Sequence, residues 1–397
     1  MNYCVSVKKY LFGGNPNLLF AIVWGISLIG YCRGIINHLP ILKWFTDEIE
    51  FLIVVIPIML SISYFVKQKN TFIALGLYLS FSLIYLLNFI LFPENADILS
   101  DNLFRTLCCA LPFIFIGVNL DIEKYVRPFY ALSVVMVLMS GFYFLIYSGD
   151  VEGEEYNMDA SYMLLPHVLM CTMVLFRHFS IKRLLFVVLG ILMLLSYGTR
   201  GPVICFVVFA FVHYLTLSVN INKWSLVLVT ALGGLILKFL DGIMLFLAYF
   251  IGDVLGMSAR IFNKYLEGDV SNDSGRGFIS NKLYNILNNT NDNLGFGLWG
   301  SYKYVHTYPH NFILDLWFSF GYAIGSLLLL GMSIMIYLSF RRGNHTQRCF
   351  LLLLFCCVIV KLMVSGTFIT DSLFYLYMGY MIRIIIQNKQ GVLSQSI

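Results

Sequence analysis

The chain is a succession of apolar runs, each close to the length of about 20 residues that an α-helix needs to cross a bilayer, with short polar turns between most of them. Candidate spans fall near 17–36, 49–66, 72–92, 103–120, 129–147, 161–176, 184–198, 203–219, 225–240, 312–339, 349–366 and 371–387. A lipid-exposed backbone must satisfy its own N–H and C=O groups, which a helix does within each segment. The expected class is therefore all-α: a polytopic membrane protein of about 12 transmembrane helices, forming one integral membrane domain over residues 1–397. With 59% hydrophobic and 12% charged residues the chain sits far from the roughly 25% charged of a soluble domain. Its mean hydropathy is +0.81.

Charge then orients the spans. With the N-terminus placed in the cytoplasm, fourteen of the 26 Lys and Arg fall inside and seven outside, the remaining five lying in or near spans. The positive-inside rule thus predicts both termini in the cytoplasm and the 241–310 loop outside. A net charge of +5 spread over short loops gives no concentrated basic face, so nucleic acid is not an expected partner, whereas membrane lipids are. Lys8 and Lys9 precede an apolar run that is long enough to span, so the first span reads as an anchor and not as a cleaved signal. The nine cysteines lie in or beside spans without CxxC or CxxH spacing, which favours apolar packing over metal or disulfide chemistry.

Chemistry is expected in the one long polar segment, 241–310, a large loop carrying short helices. It holds Arg260, then Arg276 at the start of a predicted amphipathic helix over 278–289, with Asp273 and Ser274 as candidate caps. Gly295-Phe296-Gly297-Leu298-Trp299-Gly300 spells GxGxxG, but it follows no strand and opens no βαβ unit, so a dinucleotide fold is not expected. Thr307-Tyr308-Pro309-His310-Asn311 leads into the tenth span; a neutral imidazole there could accept a hydroxyl proton or simply cap the helix. His306 and His310 lack a third ligand, so no metal site is expected. Outside this loop, Ser196–Pro202 forms a tight turn whose Arg200 stands at a helix start, where backbone N–H groups and a guanidinium suit an anion. Lys361, deep in the eleventh span, has no evident role, and Asp315 and Asp371 are possible partners for such cations.

Ser196–Pro202, Ser274-Gly275-Arg276, Leu294–Gly297 and His310–Leu314 followed by Gly321 and Gly325 together resemble the O-antigen polymerase (Wzy) and O-antigen ligase group of bacterial integral membrane glycosyltransferases, over about a third of the chain. The resemblance implies an enzyme of the bacterial inner membrane, with its large loop in the periplasm. Its donor and acceptor would be undecaprenyl-diphosphate-linked oligosaccharides, with no cofactor and no metal. It assigns Arg200 and Arg276 to the donor diphosphate, Arg260 to phosphate or glycan, His310 to the acceptor hydroxyl with Asn311 orienting it, and Trp299 and Tyr308 to sugar stacking. A chain-length regulator and a flippase are the further partners it suggests.

Within the group the Ser274–Gly297 segment is more similar to polymerases, which join repeat units, than to ligases, which deliver glycan to lipid A-core. Twelve spans with both ends inside also fit a lipid-linked oligosaccharide transporter, although no two related halves are evident in the sequence.

Overall fold

The computed structural model describes residues 70–147, 158–197, 199–217, 240–254, 275–290 and 294–393. Every regular element among them is helical, and five segments are long and apolar enough to cross a membrane: Thr71–Leu91, Pro93–Asn119, Ala160–Arg177, Arg200–Leu217 and Phe312–Arg342. The predicted spans near 17–36 and 49–66, and most of the one near 225–240, lie outside the described residues.

The chain divides into two compact units, and the boundary between Asp273 and Ser274 cuts the 241–310 loop in two. Among the described residues the first unit begins with α1 (Thr71–Leu91), a short 3-10 turn at Pro93–Asn95, α2 (Ala96–Phe104), a π-helical turn at Arg105–Ala110 and α3 (Phe113–Asn119). The second unit follows from Val126, within α4 (Ile122–Tyr147), and holds α5 (Met158–Arg177), α6 (Ile181–Ser196), α7 (Arg200–Leu217) and α8 (Leu240–Tyr249) with a π turn at Phe250–Val254. The first unit resumes with α9 (Arg276–Asn289), α10 (Ser301–Val305), α11 (Phe312–Arg342), α12 (His345–Phe355) with a π turn at Cys356–Val360, and α13 (Ser372–Leu393).

In the first unit α3 packs most extensively on α13. The crossing uses glycine on both sides: a Cβ on Gly379 would lie 2.6 Å from the Ile114 carbonyl, and one on Gly117 would meet the Leu376 carbonyl. Small residues are how membrane helices bring their backbones this close. Arg383 on α13 lies 3.9 Å from Asp121 at the end of α3, so this cation has a carboxylate neighbour.

The second unit is held by ordinary side-chain packing of α5, α6 and α7. Gly190 admits Val168, whose Cγ2 would stand 2.7 Å from an added Cβ. Three buried polar contacts cross between its helices: Ser133 with His167 Nδ1 at 3.2 Å, Ser140 with the Tyr197 hydroxyl at 2.8 Å, and the Thr199 hydroxyl donating to Ser161 at 2.6 Å.

Two spans read as continuous are interrupted. The run at 312–339 is a helix broken at Gly321, whose φ of 74° and ψ of 167° lie in a region open essentially to glycine alone. The run at 349–366 stays helical only to about Leu362; residues 363–371 then form a non-helical segment around Gly366, φ 88°, before α13 starts. Hydropathy misses both breaks because the flanking residues remain apolar.

Candidate functional site

The broken helix explains why the 294–300 segment is ordered where it is. At Gly321 the carbonyls of Phe318 and Ser319 lose their intrahelical partners, and the loop supplies replacements: Phe296 N–H donates to the Phe318 carbonyl at 2.8 Å and Gly297 N–H to that of Ser319 at 3.1 Å. Freed backbone groups of a broken membrane helix must be satisfied again from elsewhere in the protein. Gly295, φ 76°, has to be glycine, since a Cβ would sit 2.8 Å from the Phe318 carbonyl and against the Gly321 amide. Thus Gly295 of the GxGxxG spelling serves backbone docking, while Gly297, φ 76°, leaves room for the side chains of Phe92 and Asn88. From the other side Asn95 donates to the carbonyls of Phe296 and Leu298 at 2.8 and 3.2 Å, while Asn88 accepts from Leu298 N–H at 2.8 Å.

On this platform the loop builds a core of its own. Leu283 and Leu287 of α9 pack with Phe296, Leu314 and Phe318, and Phe296 stacks on Phe318 at 4.5 Å between ring centroids. Lys282 donates to the Tyr304 carbonyl at 2.6 Å and ties α9 to α10. Lys303 lies over the Tyr304 ring at 5.8 Å. Of these two loop cations Lys282 holds structure, while Lys303 is exposed and contacts only its chain neighbour.

Arg276 is different. It is the first residue of α9, behind the N-cap Gly275 in the left-handed conformation at φ 81°; the predicted caps Asp273 and Ser274 lie outside the described residues. No described carboxylate pairs with Arg276. Its charge acts on His310, which is half-buried and whose pKa is pushed down to about 4, first by burial and second by the Arg276 guanidinium. His310 therefore remains a neutral imidazole at physiological pH. Its ring lies 4.3 Å from that of Tyr308, and its Nδ1 is enclosed without a hydrogen-bond partner among the described residues.

The backbone around this cluster is strained. Trp299, His306 and His310 all have positive φ, 64°, 54° and 54°, and three such non-glycine residues within one short stretch are unusual. Strain of this kind costs on the order of 1–3 kcal/mol per residue and gathers at functional sites. Trp299 is only 6% exposed and stands edge-on to Tyr302 at 5.4 Å, so its ring face is spent on packing and is not presented as a sugar platform. Asn311 is the N-cap of α11, its side-chain oxygen accepting from Ile313 and Leu314 N–H at 3.0 and 3.2 Å. It fixes the chain just after His310 by capping the helix, and no hydrogen bond to the imidazole is present.

Beneath the cluster, the first half of α11 is braced by the 363–371 segment. Thr367 donates to the buried Asp315 at 2.8 Å, and Phe368 packs on Phe312 at 5.9 Å. Lys361, unexplained by sequence, pairs with Asp371 at 2.7 Å, and the other Asp371 oxygen caps α13 through Leu373 N–H at 2.9 Å. An apolar groove of about 680 Å³ runs alongside, between α1, the broken α11 and α13. Its few polar members include Tyr85, Asn88, Thr106 and Ser319.

Among the predicted site residues, Arg276, Tyr308 and His310 come together in the first unit. Arg200 is the half-buried first residue of α7 in the second unit, directly after Thr199, and Arg260 lies outside the described residues. Sequence reasoning missed Asn88 and Asn95, whose partners lie about 200 positions away. Among the described residues no group of histidines, cysteines or carboxylates could hold a metal ion. Neither protein-family models, nor curated proteins, nor solved structures give a match to this chain.

Proposed function

We propose that the protein is a membrane glycosyltransferase that polymerises undecaprenyl-diphosphate-linked repeat units of a surface polysaccharide. In this reading the growing chain leaves its lipid diphosphate and passes to the non-reducing-end hydroxyl of a new unit. The observation that carries it is the pairing of Arg276, an arginine with no described carboxylate partner, with a histidine kept neutral beside it.

The residues suit the reaction. The bond from the anomeric carbon to the diphosphate oxygen breaks as the acceptor oxygen bonds to that carbon, and negative charge grows on the departing diphosphate. A guanidinium at Arg276 stabilises that charge in bidentate fashion. The neutral imidazole of His310 accepts the proton that the attacking hydroxyl loses, with Tyr308 against its ring to hold the orientation. The groove along α1 and α11 has the apolar lining that a polyprenyl chain requires. Twelve spans, a cytoplasmic location of both termini and a loop facing the periplasm of the inner membrane belong to the same proposal. Ligation to lipid A-core uses the same donor chemistry and differs only in the acceptor.

A transport reading draws on a separate observation: broken α11, the unwound 363–371 segment and the Lys361–Asp371 pair resemble the interrupted helices of transporters. One experiment separates the two. Purified protein is reconstituted with an undecaprenyl-diphosphate-linked single repeat, and both glycan length and leaflet are followed. Polymerisation predicts longer glycans, lost in Arg276→Ala; movement between leaflets with no change in length would replace it with transport.

A further inference from the structure

Four of the 14 residues of α9 are asparagine, a poor helix former, and the helix contains no carboxylate. Asn281, Asn285, Asn288 and Asn289 are all exposed, at the spacing that gathers side chains on one side of a helix, opposite the buried Leu283 and Leu287. A solvated helix face ordinarily carries charge. Here the two cations of α9 are placed elsewhere: Arg276, seven residues before Leu283, is on the buried side, and Lys282 is tied to the Tyr304 carbonyl.

Three aromatic rings flank this amide stripe, and the break at Gly321 is what brings them together. Trp317 Nε1 donates to Ser326 at 3.0 Å, although nine residues of unbroken helix would hold the two about 13 Å apart. The corner lays the second half of α11 against the first, and Gly325 makes room for it, since a Cβ there would lie 2.8 Å from Trp317 Cδ1. Tyr322, 40% exposed, stands edge-on to Trp317 at 5.4 Å between centroids and donates its hydroxyl to Asn288 of the stripe at 2.6 Å. Tyr284, half-buried on α9, meets Trp317 at 6.4 Å.

We infer that the asparagine face of α9 with Tyr284, Trp317 and Tyr322 is a carbohydrate-binding surface, which takes an uncharged stretch of glycan on the side of α9 turned away from Arg276 and His310. A primary amide both donates and accepts, which is what a row of sugar hydroxyls requires. Tyr and Trp add flat apolar faces with a polar tip at little cost in side-chain freedom. Charge points the same way, because an anionic headgroup or an acidic partner calls for cations and the stripe has none. Asn281, Asn285 and Asn289 hydrogen-bond to no described residue, so the packing of α9 does not account for them. The inference rests on the transferase proposal only for the identity of the glycan, a polysaccharide held here while its end reacts elsewhere.

The test is calorimetric titration of lipid-free surface polysaccharide of the source organism into the full chain, purified in a detergent without a sugar headgroup. Wild type should bind with an affinity that is the same at low and high salt, since no charge takes part. The double substitution Asn281→Ala/Asn285→Ala should weaken binding about tenfold or more, the scale of two lost hydrogen bonds. Its unfolding midpoint should stay level or rise, because alanine is the better helix former, so a loss of binding is not a loss of fold. Binding that is unchanged in the double variant, that fades with salt, or that is absent in wild type overturns the assignment. Quenching of Trp317 fluorescence by brominated phospholipid in nanodiscs, taken as wild type minus Trp317→Phe, would also overturn it and make the aromatic group a membrane anchor. Glycan lengthening by a chain that binds no free polysaccharide would remove the surface and keep the transferase. Asn285-dependent binding in a chain that lengthens no glycan would do the reverse.

Discussion

The α5–α7 bundle and the region around α11 are made of similar apolar sequence and solve the problem of polar groups in opposite ways. In the bundle the helices run unbroken and each buried hydroxyl or imidazole named above finds a neighbour, as Ser133 does with His167 and Thr199 with Ser161. Around α11 the backbone itself is opened, at Gly321 and over 363–371, and polar atoms from distant segments are drawn in to satisfy it. The bundle is held by side-chain packing and by these cross-helix hydrogen bonds. The opened region holds the non-glycine residues Trp299, His306 and His310 at positive φ, backbone strain of the kind that gathers at binding sites.

The largest expected difference between the regions is in activity. Arg276→Ala should reduce glycan lengthening in the reconstituted assay by about a hundredfold or more, the scale of a lost donor to a developing oxyanion. Lys303→Ala, nearby but engaged with Tyr304, should leave it nearly intact, and equal losses in the two would erase the distinction between them. Next comes the ion pair: Lys361→Met strands the 6% exposed Asp371 and should cost about 3–5 kcal/mol, read from the unfolding transition in detergent. Adding Asp371→Asn, which keeps the α13 cap, should restore most of it; a double mutant as unstable as the single would show that the pair itself is unimportant.

Smaller effects sharpen the contrast in backbone. Gly321→Ala should destabilise by about 1–3 kcal/mol because alanine cannot adopt its conformation without strain. Gly331 on the same helix has open space around it, so Gly331→Ala should be neutral or slightly stabilising, and similar losses at both positions would argue against the break. Asn311→Ala should cost about 1 kcal/mol through the lost cap and shift the His310 backbone with it.

The smallest expected change is the share of the pH dependence that Arg276 contributes, as the second of the two causes acting on His310. The folded His310 titrates near 4 and the unfolded one near 6.5, so between these values the unfolded state binds more protons. The stability contribution is complete above 6.5, falls as pH drops through the window and is constant below 4. In Arg276→Ala one of the two causes is removed, so the slope in that window should flatten. A slope unchanged from wild type would mean that the guanidinium does not act on the imidazole.

Much of this was legible in the sequence, and the misses share a cause. Helix α9 was expected over 278–289 and occurs at Arg276–Asn289, because its apolar residues recur at helical spacing. The approach of Tyr308, His310 and Arg276 followed from reading one loop as one site. What sequence could not reveal was non-local. Asn95 meets Phe296 across about 200 residues, and Lys361 reaches Asp371 only because the helix ends before Gly366. Trp299 and Asn311 illustrate a different limit: residue types suited to ligands are also those that pack turns and cap helices, and here they are used for the second purpose.

The most direct test of the proposed polymerase is a silver-stained lipopolysaccharide gel from a deletion strain of the source organism, complemented with wild type or with Arg276→Ala at matched protein level. A polymerase predicts core carrying a single repeat unit in the deletion, with the ladder restored by wild type and not by Arg276→Ala. Bare core with long polymer left on undecaprenyl diphosphate would instead identify a ligase, and a ladder unchanged by the deletion would contradict both.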